Sequence, residues 1–124
     1  MPASYSSTPV PPVHVRVYRP ADQRIVSRLF VEGLLAGQID PYDTGSDIDH
    51  VNEAYLKHPH DRFWVAEIQQ EVKGMIGVAH DEAHVAIIRR LRVERALQSS
   101  PIADVLIETA LQHCRHCGYL KVVL

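Results

Sequence analysis

The segment from Val85 to Leu124 constrains the fold most, because it combines a strand, a turn, an amphipathic helix and a second strand. Val85 to Val93 is largely apolar, Gly118 stands where the helix should end, and Leu120 to Leu124 is apolar again. Strands joined through a helix favour parallel pairing. The turn before such a helix presents unpaired backbone N–H groups and the positive end of the helix dipole, so it can bind an anion.

The helix after the turn has a well-marked start. Ser100 is predicted as its N-cap and Pro101 as its first helical residue. Its core-facing stripe is predicted to comprise Ile102, Val105, Leu106, Thr109, Ala110, Cys114 and Cys117. Arg115 and His116 suit the negative pole of the helix dipole near the end.

The same segment resembles the central motif of the GNAT superfamily, the acyl-CoA-dependent N-acyltransferases. That motif contains Gln or Arg, two further residues, Gly, one residue, and Gly or Ala. Gln98 and Ala103 match its ends, with Leu91 to Val93 as the preceding strand. The resemblance implies an acetyl-CoA site in which the turn amides hold the pyrophosphate and the strand pairs with pantetheine. The residues it implies for cofactor binding are Leu91, Arg92, Val93, Gln98, Ser99, Ser100, Ile102 and Ala103.

Two residues depart from the motif. Pro101 occupies the position of its first glycine and has no N–H, and a hydrogen bond to a charged acceptor contributes about 1.5–3 kcal/mol. Asp104 adds a carboxylate in the first helical turn, which opposes an anion there. Two interpretations follow: a weakened but working cofactor turn, or simply a well-started helix.

The rest of the chain extends the resemblance over residues 13–124. A strand is predicted over 13–18, a helix from Asp22 to a terminator at Gly37, and a short helix capped by Ser46. Strands are predicted over 63–68, 72–79 and 85–93, the first two as a hairpin. The predicted fold class is therefore α/β, with a mixed α+β sheet in the opening order of the GNAT fold: strand, helix, helix, three strands, helix, strand. The family's usual C-terminal helix and hairpin are expected to be missing, as in a truncated domain.

Composition fits one domain and gives no signal for several partner classes. The 124 residues carry a formal charge of −2, so neither nucleic acid nor an anionic membrane is an expected partner. Residues 1–12, rich in Ser and Pro, are predicted to be a flexible tail. Without a signal peptide or a long apolar run, a cytoplasmic location is expected.

Cys114 and Cys117 form the competing motif, since close cysteines and histidines can bind zinc or exchange disulfides. The chain has no other cysteine to complete a zinc site, and a redox pair prefers a helix N-terminus. Buried thiols are the favoured interpretation, and no metal ligands are predicted.

Candidate catalytic residues are His84 and Glu67. Many relatives carry an acidic residue before the paired arginines of this strand, but Ile87 takes that place here. His84 and Glu67 are the substitutes, since histidine is the residue type suited to proton transfer near neutral pH, although a surface glutamate and a loop histidine would look the same. Arg89, Arg90 and Arg92 form a basic cluster that either steers phosphates or is a solvated strand face.

The sequence thus favours an enzyme, an N-acetyltransferase that moves an acetyl group from acetyl-CoA to an amine of a small molecule or protein. The alternative is a degenerate or truncated GNAT-like domain that acts as a non-catalytic interaction module. Its apolar edge strand at Leu120 to Leu124 would pair with a partner or in a homodimer. Acceptor specificity is expected in residues 38–60, where several acidic side chains could attract a cationic amine: Asp43, Asp47, Asp49 and Glu53.

Overall fold

A computed structural model describes residues 11–124 as a five-stranded mixed sheet with helices on both faces. The strands are β1 (His14–Val17), β2 (Arg62–Ile68), β3 (Glu71–His80), β4 (Val85–Val93) and β5 (Lys121–Val123). The α-helices are α1 (Gln23–Glu32), α2 (Val51–Tyr55) and α3 (Ile102–His116), and 3-10 helices cover Pro20–Asp22, Ile48–His50 and Arg95–Leu97. Within residues 11–124, every helix is too short or too polar to cross a membrane. Most of the predicted tail, residues 1–10, lies outside the described range.

The strands lie in chain order across the sheet, from β1 at one edge to β5 at the other. Each neighbouring pair from β1 to β4 is antiparallel, whereas β4 and β5 are parallel. This confirms the parallel pairing that the strand, helix and strand order predicted. The predicted fold class and order of elements are confirmed as well.

Two apolar cores lie on opposite faces of the sheet. One packs α3 against the sheet and contains Trp64, Ala66, Ile76, Val78, Ala86, Ile88, Val93, Ile102, Leu106, Ala110 and Cys114. The other packs α1 and α2 and contains Tyr18, Val26, Leu29, Phe30, Ile48, Val51, Tyr55, Phe63, Val65 and Met75. The alternation of side chains along β2 sends Phe63 and Val65 to one core and Trp64 and Ala66 to the other.

Helix α1 ends at Gly33, so the predicted terminator at Gly37 is wrong. The Gly33 N–H donates to the Leu29 carbonyl, and the Gly33 carbonyl accepts the Val93 N–H at 3.0 Å. A Cβ on Gly33 would stand 2.8 Å from the Leu29 carbonyl oxygen and 3.1 Å from that of Val93. The close approach to β4 therefore requires glycine here and ends the helix.

The predicted caps also differ from those observed. Ser46 does not cap the second helix, since Asp47 precedes the 3-10 helix at Ile48 and α2 spans only Val51–Tyr55. Pro101, rather than Ser100, is the N-cap of α3, and its carbonyl accepts the first helical hydrogen bond, from Val105. Gly118 ends α3 with a φ of +81°, as predicted. Three residues of the predicted buried stripe are only half-buried: Val105, Thr109 and Cys117.

Candidate functional site

The turn between β4 and α3 presents free amide donors at a helix start. Among residues 11–124, the backbone N–H groups of Ser99, Ala103 and Asp104 meet no protein acceptor at hydrogen-bond geometry. The Ile102 N–H reaches only the Ser100 hydroxyl, at 3.4 Å. These donors lie at the positive end of α3, whose dipole favours an anion.

Side chains of the turn hold its shape. The Gln98 Nε2 donates to the carbonyls of Val93 at 3.0 Å and Leu34 at 3.2 Å, so it ties the end of β4 to the exit of α1. The Ser100 hydroxyl donates to the Leu97 carbonyl at 2.5 Å. Gln98 and Ser100 were both predicted for cofactor binding. Their side chains instead donate hydrogen bonds to backbone carbonyls in and beside the turn.

The surroundings of the turn carry mixed charge. A cleft of about 520 Å³ between α1 and the start of the turn is lined by Arg28, Leu29, Glu32, Glu94, Arg95 and Ala96. Glu94 lies 3.1 Å from the Lys73 ammonium and 3.9 Å from the Arg28 guanidinium. Arg95 is exposed and, within the described part of the chain, lies within salt-bridge distance of no carboxylate. Asp104 is exposed at the mouth of the turn.

The end of β4 is more enclosed than the resemblance implies. Val93 is buried, its N–H donates to Gly33, and its carbonyl accepts from Gln98. Leu91 packs into the α3-side core, and its carbonyl accepts from Arg92 at 3.2 Å. Arg92 is buried on the other face, where its Nε donates to the Phe30 carbonyl at 2.9 Å.

The second half of β4 has an open edge on the side of β5. β5 pairs only with Val85, Ala86 and Ile87. From Ile88 onward, no strand in residues 11–124 pairs with β4 on the side of β5. The open edge leads to the amide donors of the turn, because β4 runs directly into it.

A β-bulge in β4 gathers arginines on the face of α1 and α2. Gly77 pairs with Arg89 and Met75 with Arg92, so β4 has one more residue than β3 over this stretch. Arg90 has a φ of +61°, a left-handed conformation that L-residues rarely adopt. The extra residue places consecutive arginines, Arg89 and Arg90, on one face. Adjacent arginines that break the apolar alternation were the sequence signal for this bulge.

Arg90 joins β4 to the segment before α2. Its Nη2 donates to Asp47 at 2.6 Å and to Asp43 at 3.0 Å, its Nε donates to Asp47 at 3.0 Å, and its Nη1 also contacts Asp43. The Tyr55 hydroxyl donates to Asp47 at 2.5 Å. The guanidinium carbons of Arg90 and Arg92 each lie 5.0 Å from the ring centre of Phe30.

This network sets the protonation states of its members. The hydrogen bond from Arg90 lowers the pKa of Asp43 to about 2. Burial raises the pKa of Asp47, but hydrogen bonds from Arg90 and Tyr55 outweigh burial and hold it below its ordinary value. Burial, followed by the contact with Asp47, raises the pKa of Tyr55. The two aspartates are therefore ionised and already paired, so they do not form the free acidic patch considered for a cationic amine.

The structure keeps the two predicted catalytic residues apart from the turn. His84 is exposed in the loop before β4, at the opposite end of that strand, and its carbonyl accepts the N–H groups of Leu120 and Lys121. Glu67 lies on β2, where the Arg16 Nε donates to it at 2.9 Å while the same guanidinium pairs with Asp22. The sheet thus brings neither residue next to the amide donors.

The cysteines lie at the end of α3 and are both free. Cys114 is buried, and burial raises the pKa of its thiol. Cys117 is half-buried, with its sulfur 3.5 Å from the Nε2 of His113. That Nε2 lies 2.8 Å from the His60 carbonyl, and burial lowers the pKa of His113. The buried-thiol interpretation fits Cys114 fully and Cys117 in part.

Comparisons with known proteins identify what this arrangement is similar to. The Acetyltransferase (GNAT) family model matches residues 28–124. Human N-acetyltransferase 8 is 31% identical over 84 residues, which cover 64% of this chain and 37% of that protein. The chain therefore spans little more than a third of the length of this curated relative.

Solved structures share the fold. An acetyltransferase of the GNAT family from Staphylococcus aureus Mu50 has a TM-score of 0.75 at 16% identity, covering 87% of this chain and 69% of that one. A GNAT family acetyltransferase from Brucella melitensis, solved in complex with acetyl-CoA, has a TM-score of 0.71 at 22% identity, covering 87% and 71%. At these identities the likeness concerns the fold.

Proposed function

Because the chain belongs to the GNAT acetyltransferase family, we propose that it is an acyl-CoA-dependent N-acetyltransferase that acts on an amine acceptor. The observation that carries this proposal is the set of free amides at Ser99, Ala103 and Asp104, placed where the open edge of β4 ends. Acetyl-CoA would supply a thioester: its carbonyl carbon gains a bond to the amine nitrogen as its bond to sulfur breaks, the nitrogen gives up one proton, and CoA leaves with one proton as the free thiol.

The turn fits a pyrophosphate with fewer donors than the family motif provides. Ser99, Ala103 and Asp104 offer amides, and Arg95 offers an exposed cation beside them. Pro101 removes one donor, and the Asp104 side chain opposes the negative charge. We therefore propose acetyl-CoA as the cosubstrate, held more weakly than a turn with glycine at position 101 would hold it.

Along β4, the proposed pantetheine contacts depend on Gly33. The Val93 N–H already donates to the Gly33 carbonyl at 3.0 Å. A pantetheine amide could pair with Val93 only after Gly33 moves away, whereas the edge between Ile88 and Leu91 has no strand beside it within residues 11–124. We therefore assign the first pantetheine contacts to that open edge.

For proton transfer, His84 and Glu67 remain the residues to test. Asp43 and Asp47 are closer to the bulge, but their pKa values lie below the ordinary range, which makes them poor bases near neutral pH. Loss of acetyl transfer in His84→Ala, with acetyl-CoA affinity retained, would support a role for His84. Full activity would remove it, and Glu67→Gln would then be judged by the same comparison.

The charge near the bulge points to the class of acceptor. Arg90 is matched by two aspartates, but Arg89 is exposed and forms no ion pair within the described residues. An amine that also carries a carboxylate could use Arg89 as its partner. Arg89→Ala should then raise KM for amines that carry a carboxylate and leave KM unchanged for amines that lack one. Equal effects on both would contradict a carboxylated acceptor.

Calorimetric titration with acetyl-CoA tests the proposal most directly. We expect micromolar binding, and Asp104→Asn should tighten it about 2- to 5-fold, because it removes a like charge whose repulsion of the pyrophosphate is worth up to about 1 kcal/mol in water. Glu108→Gln removes the same charge one helical turn away and is the matched control, expected to change affinity little. A folded chain that binds no acetyl-CoA would overturn the proposal.

The second candidate is a non-catalytic interaction module. The departures at Pro101 and Asp104 favour it, and so does the exposure of Leu120, 81% of whose surface is accessible beside β5. In this case the chain would associate with a partner or a second copy through β5 and would not bind acetyl-CoA. Sedimentation with and without acetyl-CoA separates the two functions, because only the module predicts association that depends on protein concentration alone.

A further inference from the structure

The end of the sheet opposite the candidate acetyl-CoA turn carries a convergent set of metal-binding side chains. His58 and Asp61 stand just before β2, and His80 is the last residue of β3. We call these residues the histidine–aspartate cluster. Their ligand atoms all lie within 4.8 Å of one another, and they form the single such group found within residues 11–124.

Both imidazoles face the same carboxylate. The Nδ1 of His80 lies 2.9 Å from Asp61 Oδ1, and the Nδ1 of His58 lies 3.8 Å from the same oxygen. The two rings stack with centroids 3.9 Å apart and an angle of 18° between their planes. Asp61 is only 4% exposed, and its Oδ1 also accepts the His80 N–H at 2.8 Å, so the carboxylate is fixed in position.

The distances between these donor atoms suit a small divalent cation that accepts both nitrogen and oxygen ligands. Zinc binds imidazole nitrogen and carboxylate oxygen at about 2.0–2.2 Å, which separates neighbouring donors of a tetrahedral site by about 3.3 Å. The side chains of His58 and His80 are 40% and 47% exposed, so their rings can turn out of the stack to aim one nitrogen lone pair each at a shared ion. Two imidazoles and one carboxylate also match the donor preference of zinc over magnesium or calcium.

A cavity beside the cluster supplies room and an unsatisfied polar group. It measures about 360 Å³ and is lined by His58, Pro59, His60, His80, Asp81, Glu82, Ala83 and Tyr119. The Tyr119 hydroxyl is buried and has no hydrogen-bond partner within the described residues. A buried hydroxyl without a partner is costly, so this residue of the cavity wall has a hydrogen bond still to make.

From this geometry we propose that His58, Asp61 and His80 bind a divalent zinc-like cation, with a fourth position open to the cavity. The site is independent of the acetyl-CoA turn, because β4 separates the two ends of the sheet. It differs from the cysteine and histidine stretch at the end of α3, for which no metal was predicted. Binding would join the start of β2 to the end of β3 and stabilise the folded chain.

Titration of untagged, chelator-treated protein with zinc tests this proposal. We expect one site per chain, a rise in Tm on zinc addition, and at least about 100-fold weaker binding in His58→Ala and in His80→Ala. His14→Ala, at an exposed position of β1, is the matched control and should bind zinc like the parent chain. Cobalt offers a second readout, since four-coordinate binding in the cluster should produce a visible absorption band that His80→Ala lacks.

The outcomes separate the proposal from a simple hydrogen-bonded pair. Zinc binding that survives both His58→Ala and His80→Ala would place the ion elsewhere and overturn it, as would binding seen only at millimolar zinc. Asp61→Asn keeps the side-chain volume and should also weaken zinc, while circular dichroism reports whether that variant folds. Because none of these measurements involves acetyl-CoA, failure here leaves the proposed acetyltransferase function untouched.

Discussion

Arg90 combines an unfavourable backbone conformation with the densest set of ion pairs described in the chain. A left-handed φ costs an L-residue about 1–2 kcal/mol, so the contacts with Asp43 and Asp47 must more than offset it. These contacts hold the β-bulge against the segment before α2. One side chain therefore joins β4 to the segment before α2.

Replacing Arg90 with alanine should lower the free energy of unfolding by about 2–4 kcal/mol, because it leaves two poorly solvated carboxylates without a partner. The measurement is urea denaturation at neutral pH. Arg89→Ala, one residue away and exposed, should change the same free energy by no more than about 0.5 kcal/mol. Equal losses in both variants would show that the network contributes nothing specific.

The aspartates that pair with Arg90 also predict an acid limit to stability. The pKa of Asp43 is about 2 in the folded chain against an ordinary 3.8, and that of Asp47 is lowered too. Between these values the unfolded chain binds more protons than the folded one, so stability should fall as pH drops from about 4 towards 2. Urea midpoints at several acidic pH values measure this slope.

Arg90→Ala provides the control for that slope. Without the guanidinium, burial of Asp47 favours its protonated form and only the hydrogen bond from Tyr55 still opposes it, so this part of the acid loss should shrink or vanish. Identical pH profiles for the parent chain and the variant would assign the acid loss to other carboxylates, such as Asp22 beside Arg16.

Among the elements, the turn before α3 is the proposed pyrophosphate site, and Pro101 is the position at which it can be tested. Pro101→Ala and Pro101→Gly both restore a backbone N–H, and Pro101 has a φ of −76°, which alanine adopts without strain. If that N–H reaches the pyrophosphate, both variants should bind acetyl-CoA about tenfold more tightly or better, because such a bond contributes about 1.5–3 kcal/mol. Calorimetry measures the affinities, and no gain in either variant would mean that the N–H of residue 101 does not reach the pyrophosphate.

The sequence predicted the strands and α3 well because each carries a local pattern: alternation in β2, an apolar run in β4, a helical stripe in α3. What it could not predict depends on contacts between distant segments. Helix α1 ends at Gly33 because β4 lies against that residue, and Asp47 rather than Ser46 precedes the 3-10 helix and pairs with Arg90. In the site, the turn was found from its motif, but the Arg90 network and the histidine–aspartate cluster join residues far apart in the chain.

Across the whole molecule, β4 presents different side chains to the two faces of the sheet. Its alternate side chains enter the α3-side core, while its arginines face α1 and α2. The turn amides lie at the start of α3, on one face of the sheet. The arginines of the bulge lie on the other face, against α1 and α2. A change in the distance between α3 and the sheet should therefore alter acetyl-CoA binding as well as stability.

Gly74 on β3 sets that distance. A Cβ there would stand 3.0 Å from both Ile102 Cγ2 and Leu106 Cδ1, so Gly74→Ala should push the start of α3 away from the sheet. Overpacking of this kind costs about 1–3 kcal/mol, and displacement of the amides should also weaken the binding of acetyl-CoA.

Gly118→Ala is the matched control: a φ of +81° makes it strained, but its Cβ would meet nothing within 4 Å. It should lose about 1 kcal/mol of stability without any change in the affinity for acetyl-CoA, measured by calorimetry well below each variant's Tm. If Gly74→Ala loses only stability as well, the position of α3 on the sheet does not govern the site.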